Sequence, residues 1–169
     1  LQDAYADLKF DPAATVRVGK TKTPFGLERL QSSASTEQVE LGLPSELAPG
    51  RDIGVQLQGE LAQSTVTYAL GVYNGTVDGR DAVTSNPDND FEIAARLFFE
   101  PWKNAGNGLS GLGFGIAGTD GNTRGAGSNY LPRYRTPGQV QFFGYRDDVL
   151  ADGERLRWSP QAYFYRGPL

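Results

Sequence analysis

The chain contains no cysteine and no histidine, and each absence excludes a class of chemistry. Without cysteine there is no disulfide framework and no thiolate metal site. Without histidine the commonest general base is missing, so neither a Ser-His-Asp nor a Cys-His catalytic set can form. We therefore predict no catalytic residue, no cofactor and no metal ion for this chain.

Long hydrophobic runs are also absent. No stretch approaches the about eighteen consecutive apolar residues that a membrane-spanning helix requires. Transmembrane β-strands escape this test, because only alternate residues face lipid while the others face a polar interior. The hydrophobic content of 38% therefore excludes neither a soluble protein nor a membrane barrel. The net charge of −4 does not decide the matter either, since the field inside a narrow passage matters more than the total charge.

Alternation of apolar and polar residues is the dominant pattern in the chain, and it indicates β-strands. It is clearest at 109–119, where Leu112, Phe114 and Ile116 alternate with glycine and alanine. Many of these segments have about nine to eleven residues, the length with which a tilted strand crosses a bilayer. A soluble β-sandwich produces the same alternation, so that alternative stays open. The pattern predicts an all-β fold with about eight strands, at 4–10, 15–23, 52–61, 65–73, 90–99, 109–119, 140–145 and 155–166.

The connections between these strands are of two kinds. Tight turns are predicted near Asp11 and Gln63, whereas the segments 24–51, 75–89 and 120–139 are long and polar. Short turns that alternate with long loops are typical of the two ends of an outer-membrane barrel. Long connections without a helical pattern are uncommon in a compact domain and indicate a functional role.

Two segments carry the most specific signal. Residues 18–29 read Val-Gly-Lys-Thr-Lys-Thr-Pro-Phe-Gly-Leu-Glu-Arg, and residues 47–57 read Leu-Ala-Pro-Gly-Arg-Asp-Ile-Gly-Val-Gln-Leu. A strand thus runs into a Pro-Phe-Gly break, and a second strand opens after a long polar excursion. Shorter segments agree with them: Gln-Asp-Ala-Tyr-Ala-Asp-Leu from Gln2, Ala-Arg-Leu from Ala95 and Ser-Pro-Gln-Ala-Tyr from Ser159. Together they closely resemble the phosphate-selective porin family, the outer-membrane channels typified by porins O and P.

The resemblance covers nearly the whole chain and implies an antiparallel transmembrane β-barrel of the outer-membrane porin type. Complete members have about sixteen strands, so the strands of this chain form part of a larger barrel. We expect 1–169 to be a single, incomplete porin barrel domain, an internal fragment of a longer protein. The chain opens on Leu1 without an initiator methionine and stops after a strand-like run, which agrees with that expectation. The family also implies that the long loop near 24–51 folds into the barrel and narrows the pore.

The function implied by the resemblance is passive, anion-selective diffusion of phosphate, pyrophosphate or polyphosphate across a bacterial outer membrane, not enzymatic turnover. The implied partners are these anions, outer-membrane lipid and lipopolysaccharide, with a homotrimer as the assembly of the full-length protein. No nucleic-acid partner is expected. Two alternatives remain: a general porin of the same fold without phosphate selectivity, and a soluble β-sandwich that binds carbohydrate.

Arginine is the residue type that an anion pore needs, because its guanidinium stays charged and meets phosphate oxygens with a planar fork. Arg29 follows the Gly-Leu-Glu triplet, and the family places a lysine or arginine close after the same triplet near the narrowest part of the pore. Arg133 and Arg135 lie two apart in an extended segment, so we expect them to point the same way. The family uses such arginines as a ladder, and Arg124 is a further candidate rung. Alternation also directs Arg96 toward the interior.

Each candidate has a simpler interpretation. Arg29 is explained equally well as a solvated loop cation that pairs with Glu28 or Glu37. Arg133 and Arg135 are explained as ordinary surface charges, which exposed arginines usually are. The resemblance favours the pore interpretation for all three.

Overall fold

The computed structural model describes residues 3–31, 41–79, 89–127, 130–136, 138 and 140–166. Glu37 and the middle of the long loop near 24–51 lie outside the described residues. The described helices, α1 (Leu27–Leu30) and α2 (Leu43–Glu46), have one turn each. No described helix has the length and apolarity that crossing a membrane would require.

The remaining regular structure consists of β-strands. In chain order they are β1 (Ala4–Asp11), β2 (Ala14–Lys22), β3 (Arg51–Leu61), β4 (Val66–Tyr73), β5 (Glu92–Phe99), β6 (Leu112–Ala126), β7 (Tyr134–Arg135), β8 (Gln141–Phe143) and β9 (Leu150–Phe164). Seven of them form one sheet in the order β1-β2-β3-β4-β5-β6-β9, and β7 pairs with β8 separately. Every pair is antiparallel. Such a meander of neighbouring strands is typical of an up-and-down barrel wall, although this sheet is not closed.

One face of the seven-stranded sheet is apolar and exposed. Val55, Leu70, Ile116 and Trp158 lie on it, and Trp158 has 71% of its surface exposed. Soluble monomers rarely expose a contiguous apolar patch of more than a few hundred Å², because water penalises it. The only other sheet among the described residues is the two-stranded β7–β8, so no second sheet of a sandwich covers this face. The β-sandwich alternative is therefore wrong, and the apolar face is the one that a lipid bilayer would cover.

The opposite face is polar and buried. Its buried side chains are mostly hydrogen-bonding or charged: Thr21, Asp52, Gln56, Glu92, Thr119, Arg157 and Gln161. The buried hydrophobic cluster, in contrast, contains only Phe25, Ala48 and Ala117 among the described residues. Burial is thus inverted relative to a soluble protein, as expected when the interior of a barrel faces water.

Seven of the eight predicted strands form the sheet. The eighth prediction, at 140–145, is wrong as a wall strand, because only Gln141–Phe143 is extended there and it pairs with β7. Its aromatic residues stack on Tyr134 instead, with ring centroids 5.8 Å apart for Phe143. The strand predicted at 109–119 extends to Ala126, since β6 continues with polar residues on both faces beyond the apolar band. Pairing of β5 with β6 ends at Gly121, whereas β6 and β9 stay paired to Ala126 and Leu150.

Glycines on β3 and β4 make room for one large inward side chain. Tyr73 is 1% exposed and its hydroxyl donates to the Gln56 side chain. A Cβ atom on Gly71 would lie 2.7 Å from the Tyr73 ring, and one on Gly54 would lie 2.5 Å from it. These two positions therefore require glycine for packing of the inner face.

We predict that Gly71→Ala destabilises the barrel by about 1–3 kcal/mol, the usual cost of overpacking a filled site. The measurement is urea unfolding of the full-length protein in detergent micelles, with the heat-modifiable gel shift as readout of the folded barrel. Gly108→Ala is the matched control, because a Cβ there meets no atom within 4 Å. Equal stability of the two variants would contradict the packing role of Gly71.

Candidate functional site

A cavity of about 640 Å³ lies on the polar face of the sheet. Strands β1 to β5 contribute side chains to its wall, and the first residues of the excursion after β2, Pro24 and Leu30, also line it. Gln31, the next residue of the excursion, also lies on this face. Its side-chain amide is 3.5 Å from the hydroxyl of Tyr165, which directly follows the last residue of β9. The sheet is therefore curved, and the start of the excursion lies on its inner side.

Two arginines, Arg17 and Arg96, line the cavity. Arg17 makes two hydrogen bonds to the carboxylate of Asp7, of 2.7 and 2.9 Å, and its guanidinium lies 4.0 Å from the Tyr5 ring centroid. Arg96 donates instead to the neutral Gln161 amide at 2.9 Å and stacks on Phe98. The inward direction predicted for Arg96 is confirmed by its place in the cavity lining. The charge of Arg17 is paired with a carboxylate, whereas Arg96 contacts neutral groups.

The segment that carries Arg29 is folded back on itself. The Arg29 guanidinium donates twice to the Ser45 carbonyl oxygen, at 2.6 and 3.1 Å. Glu28 accepts hydrogen bonds from the Gly42 amide at 2.9 Å and from the Ser45 hydroxyl at 2.7 Å. These contacts join α1 to α2 across the undescribed residues. The contact with the Ser45 carbonyl fixes the orientation of the Arg29 guanidinium relative to α2.

The other predicted arginines lie in the connection between β6 and β9. Arg135 is half-buried in β7, and Arg133 is exposed immediately before it. Arg124 is on β6, on the strand face that also carries Ile116, and makes a 3.2 Å ion pair with Asp152 in which both side chains are more than 70% exposed. The structure therefore places Arg29, Arg133 and Arg135 in the long connections, and Arg124 on the outer face of the β6–β9 ribbon.

A buried ionic cluster lies where the long connections meet the sheet, and sequence reasoning missed it. Arg157 on β9 contacts the carboxylates of Asp78 at 2.7 Å and Glu92 at 2.6 Å, and it also donates to Thr119 at 2.9 Å. Arg155 adds a second contact to Glu92 at 2.9 Å. The inward direction of Arg155 and Arg157 follows from alternation along the strand. No sequence signal identifies Asp78, because its partners are distant in the chain.

Burial changes the pKa values of two groups from the long connections, Asp78 in this cluster and Tyr134 next to it. It raises the pKa of Asp78 above the ordinary carboxyl value, and the positive charge of Arg157 opposes that rise. Burial also raises the pKa of Tyr134 to about 12, so its hydroxyl stays protonated at neutral pH. The Tyr134 hydroxyl can therefore donate to the Asp78 carboxylate, from which it lies 3.5 Å away.

These features define a class of protein. A curved antiparallel meander with an apolar exterior, a polar interior and long connections at one end is a wall segment of an outer-membrane β-barrel porin. The family model described as phosphate-selective porin O and P matches residues 1–169, and the chain belongs to that family. No curated protein sequence and no solved structure matches it.

We predict that Arg157→Met lowers the free energy of unfolding by about 3–5 kcal/mol, because it leaves the buried carboxylates of Asp78 and Glu92 without their main counterion. Arg124→Met removes the same charge from an exposed pair and is expected to change the free energy of unfolding by less than about 1 kcal/mol. Urea titrations of both full-length variants in detergent micelles measure the difference. A loss for Arg157→Met no larger than for the control would show that the cluster does not stabilise the barrel.

Proposed function

We propose that the full-length protein is a channel for passive, anion-selective diffusion of phosphate, pyrophosphate or polyphosphate across a bacterial outer membrane, and that it catalyses no reaction. Family membership supports the general activity. The observation that carries the anion claim is the fixed position of Arg29 in the excursion on the inner side of the sheet. Its guanidinium is oriented by the Ser45 carbonyl, and a guanidinium is protonated at any relevant pH.

In this proposal the excursion near 24–51 narrows the pore and Arg29 binds the anion there. The positions of Pro24 and Leu30 in the cavity lining support an inward path for the loop. A guanidinium held in one orientation loses little conformational entropy when it meets a phosphate oxygen. A single fixed cation also binds weakly enough to release the ion to the next site, which conduction requires.

Arg133 and Arg135 are proposed to attract the anion at the mouth of the channel. Both residues lie in the connection between the end of β6 and the start of β9. The side chain of Arg133 is exposed there and can act on ions in solution. Arg124 is proposed as an outer contributor to the same field, although Asp152 reduces its effect. Arg96 is proposed to contact the anion deeper in the barrel, because its own partners in the cavity are the neutral Gln161 amide and the Phe98 ring.

The proposed partners follow from the two faces of the sheet. The apolar face would contact outer-membrane lipid, and the polar ends of the strands above it would contact lipopolysaccharide. A homotrimer is proposed from the family resemblance alone. No nucleic-acid partner is proposed.

A general porin of the same fold is the second candidate, and one observation favours it. The cavity that contains Arg17 and Arg96 is also lined by the carboxylates of Asp3 and Glu60, which lower its positive potential. The zero-current potential of the full-length protein in a planar bilayer under a potassium chloride gradient separates the two. A phosphate channel is expected to give an anion-selective potential, whereas a weak or cation-selective potential would favour the general porin.

We predict that Arg29→Ala raises the phosphate concentration that half-blocks chloride current by about 10- to 100-fold, the value of one charge-assisted hydrogen bond. The measurement is chloride conductance of the full-length channel during titration with phosphate. Lys103→Ala is the control, because it removes one positive charge from the connection between β5 and β6, at the end of the sheet opposite to the excursion. An unchanged half-blocking concentration in Arg29→Ala would remove Arg29 from the proposed binding site.

A further inference from the structure

The three long connections meet at Asp78 and Gly79. The Asp78 backbone forms an isolated antiparallel bridge with Pro49, and the Gly79 amide donates to the Ala48 carbonyl at 3.1 Å. A Cβ on Gly79 would lie 3.6 Å from the Arg133 carbonyl oxygen, and the residue has a φ of +96° that favours glycine. The loop after β4 is thus packed between the excursion and the connection that carries β7.

This contact region is almost completely buried. Ala48 has no exposed surface, Val77 has 3% and Glu46 has 4%, although all three belong to connections and not to strands. Loops usually run over a surface, because their backbone polar groups need water or partners. We refer to the described residues 42–50, 74–79 and 130–135 as the loop body, since they contact one another as a packed unit.

The loop body is fixed to the barrel wall through its middle segment. Arg157 on β9 forms the 2.7 Å ion pair with Asp78 and donates to the Thr76 carbonyl at 3.1 Å. On the β3 side, the Gly75 amide donates to Asp52 at 2.7 Å. The Asp78 side chain also reaches the third connection, through the Tyr134 hydroxyl at 3.5 Å.

We propose that Asp78 is a positioning residue of the channel: its ion pair with Arg157 fixes the loop body against the wall and thereby sets the width of the passage. The loop body also holds the proposed anion-binding residues. Arg29, although outside the loop body, donates to the Ser45 carbonyl within it, and Arg133 and Arg135 flank Tyr134. The part of this inference that concerns phosphate rests on the proposed function, while the part that concerns the passage does not.

The first test uses Asp78→Asn in the full-length protein, with single-channel chloride conductance and open-channel current noise as readouts in the absence of phosphate. The amide cannot form the ion pair with Arg157, so we expect the loop body to fluctuate and the open-channel current noise to rise. The heat-modifiable gel shift should persist, because the strand pairing does not involve Asp78. Asp148→Asn is the control, since it makes the same change in the exposed pair with Arg146. Identical noise and conductance in both variants would overturn the proposal.

A second variant separates the positional effect of Asp78 from the effect of its charge. It also tests the proposal if Asp78→Asn does not assemble into a barrel. Pro49 and Asp78 are direct bridge partners, so their Cα atoms lie within the range of about 4.4–6.8 Å that a disulfide needs. Pro49→Cys/Asp78→Cys removes the carboxylate but replaces its positional effect by a covalent bond. We expect a quiet channel when oxidised and a noisy channel after dithiothreitol. The same current trace in both states would overturn the inference.

Phosphate block then distinguishes failure of this inference from failure of the proposed function. If Asp78 positions Arg29, Asp78→Asn should weaken phosphate block about 2- to 30-fold in the wild-type background and hardly at all when combined with Arg29→Ala. If Arg29→Ala alone has no effect on block, the proposed anion site is wrong, and the chloride noise still tests the positional role of Asp78. Additive effects of the two substitutions on block would contradict the positioning of Arg29 by Asp78.

Discussion

The backbone amides of a chain in hydrocarbon have no water to bond, and the architecture of this protein depends on satisfying them between strands. Each wall strand is hydrogen-bonded to its neighbours in an antiparallel register over most of its length. Because that pairing alone supplies the amide partners, the side chains are released from forming an apolar core. The outer face can be uniformly apolar for lipid, and the inner face can be polar for water.

Without an apolar core, the interior is organised by polar contacts. The hydrophobic cluster around Phe25 is small, whereas Arg157 alone contacts a β-strand carboxylate, a loop carboxylate, a hydroxyl and a carbonyl. A buried ion pair contributes little net stability, because both charges must be desolvated. Its value lies in geometry, since the planar guanidinium accepts few arrangements of its partners. Such a contact suits a molecule whose loops must stay in one place beside an open, wet passage.

Sequence reasoning located most of the wall and little of the loop body. Alternation is local, so it gave the strands from Ala4 to Phe99 within a few residues and the inward direction of Arg96. It failed at 140–145, where Phe142 and Phe143 pack on Tyr134 and not on a wall strand. It could not identify Asp78, whose partners Pro49, Tyr134 and Arg157 are 29 to 79 residues away. Family resemblance supplied Arg29, but the contact with Ser45 that orients it depends on a fold-back within the excursion.

The continuation of β6 and β9 beyond the rest of the sheet has an electrostatic consequence. Among the described residues, the two strands are paired only with each other from Asn122 to Ala126, an extension of about 17 Å along the strand. At physiological ionic strength, charges in water are screened over about 8 Å. An acidic group nearer the tip of this ribbon, such as Asp152, therefore has little influence through solution on ions deeper in the lumen. A chain with a net negative charge can in this way keep a separate, locally positive potential around its inner arginines.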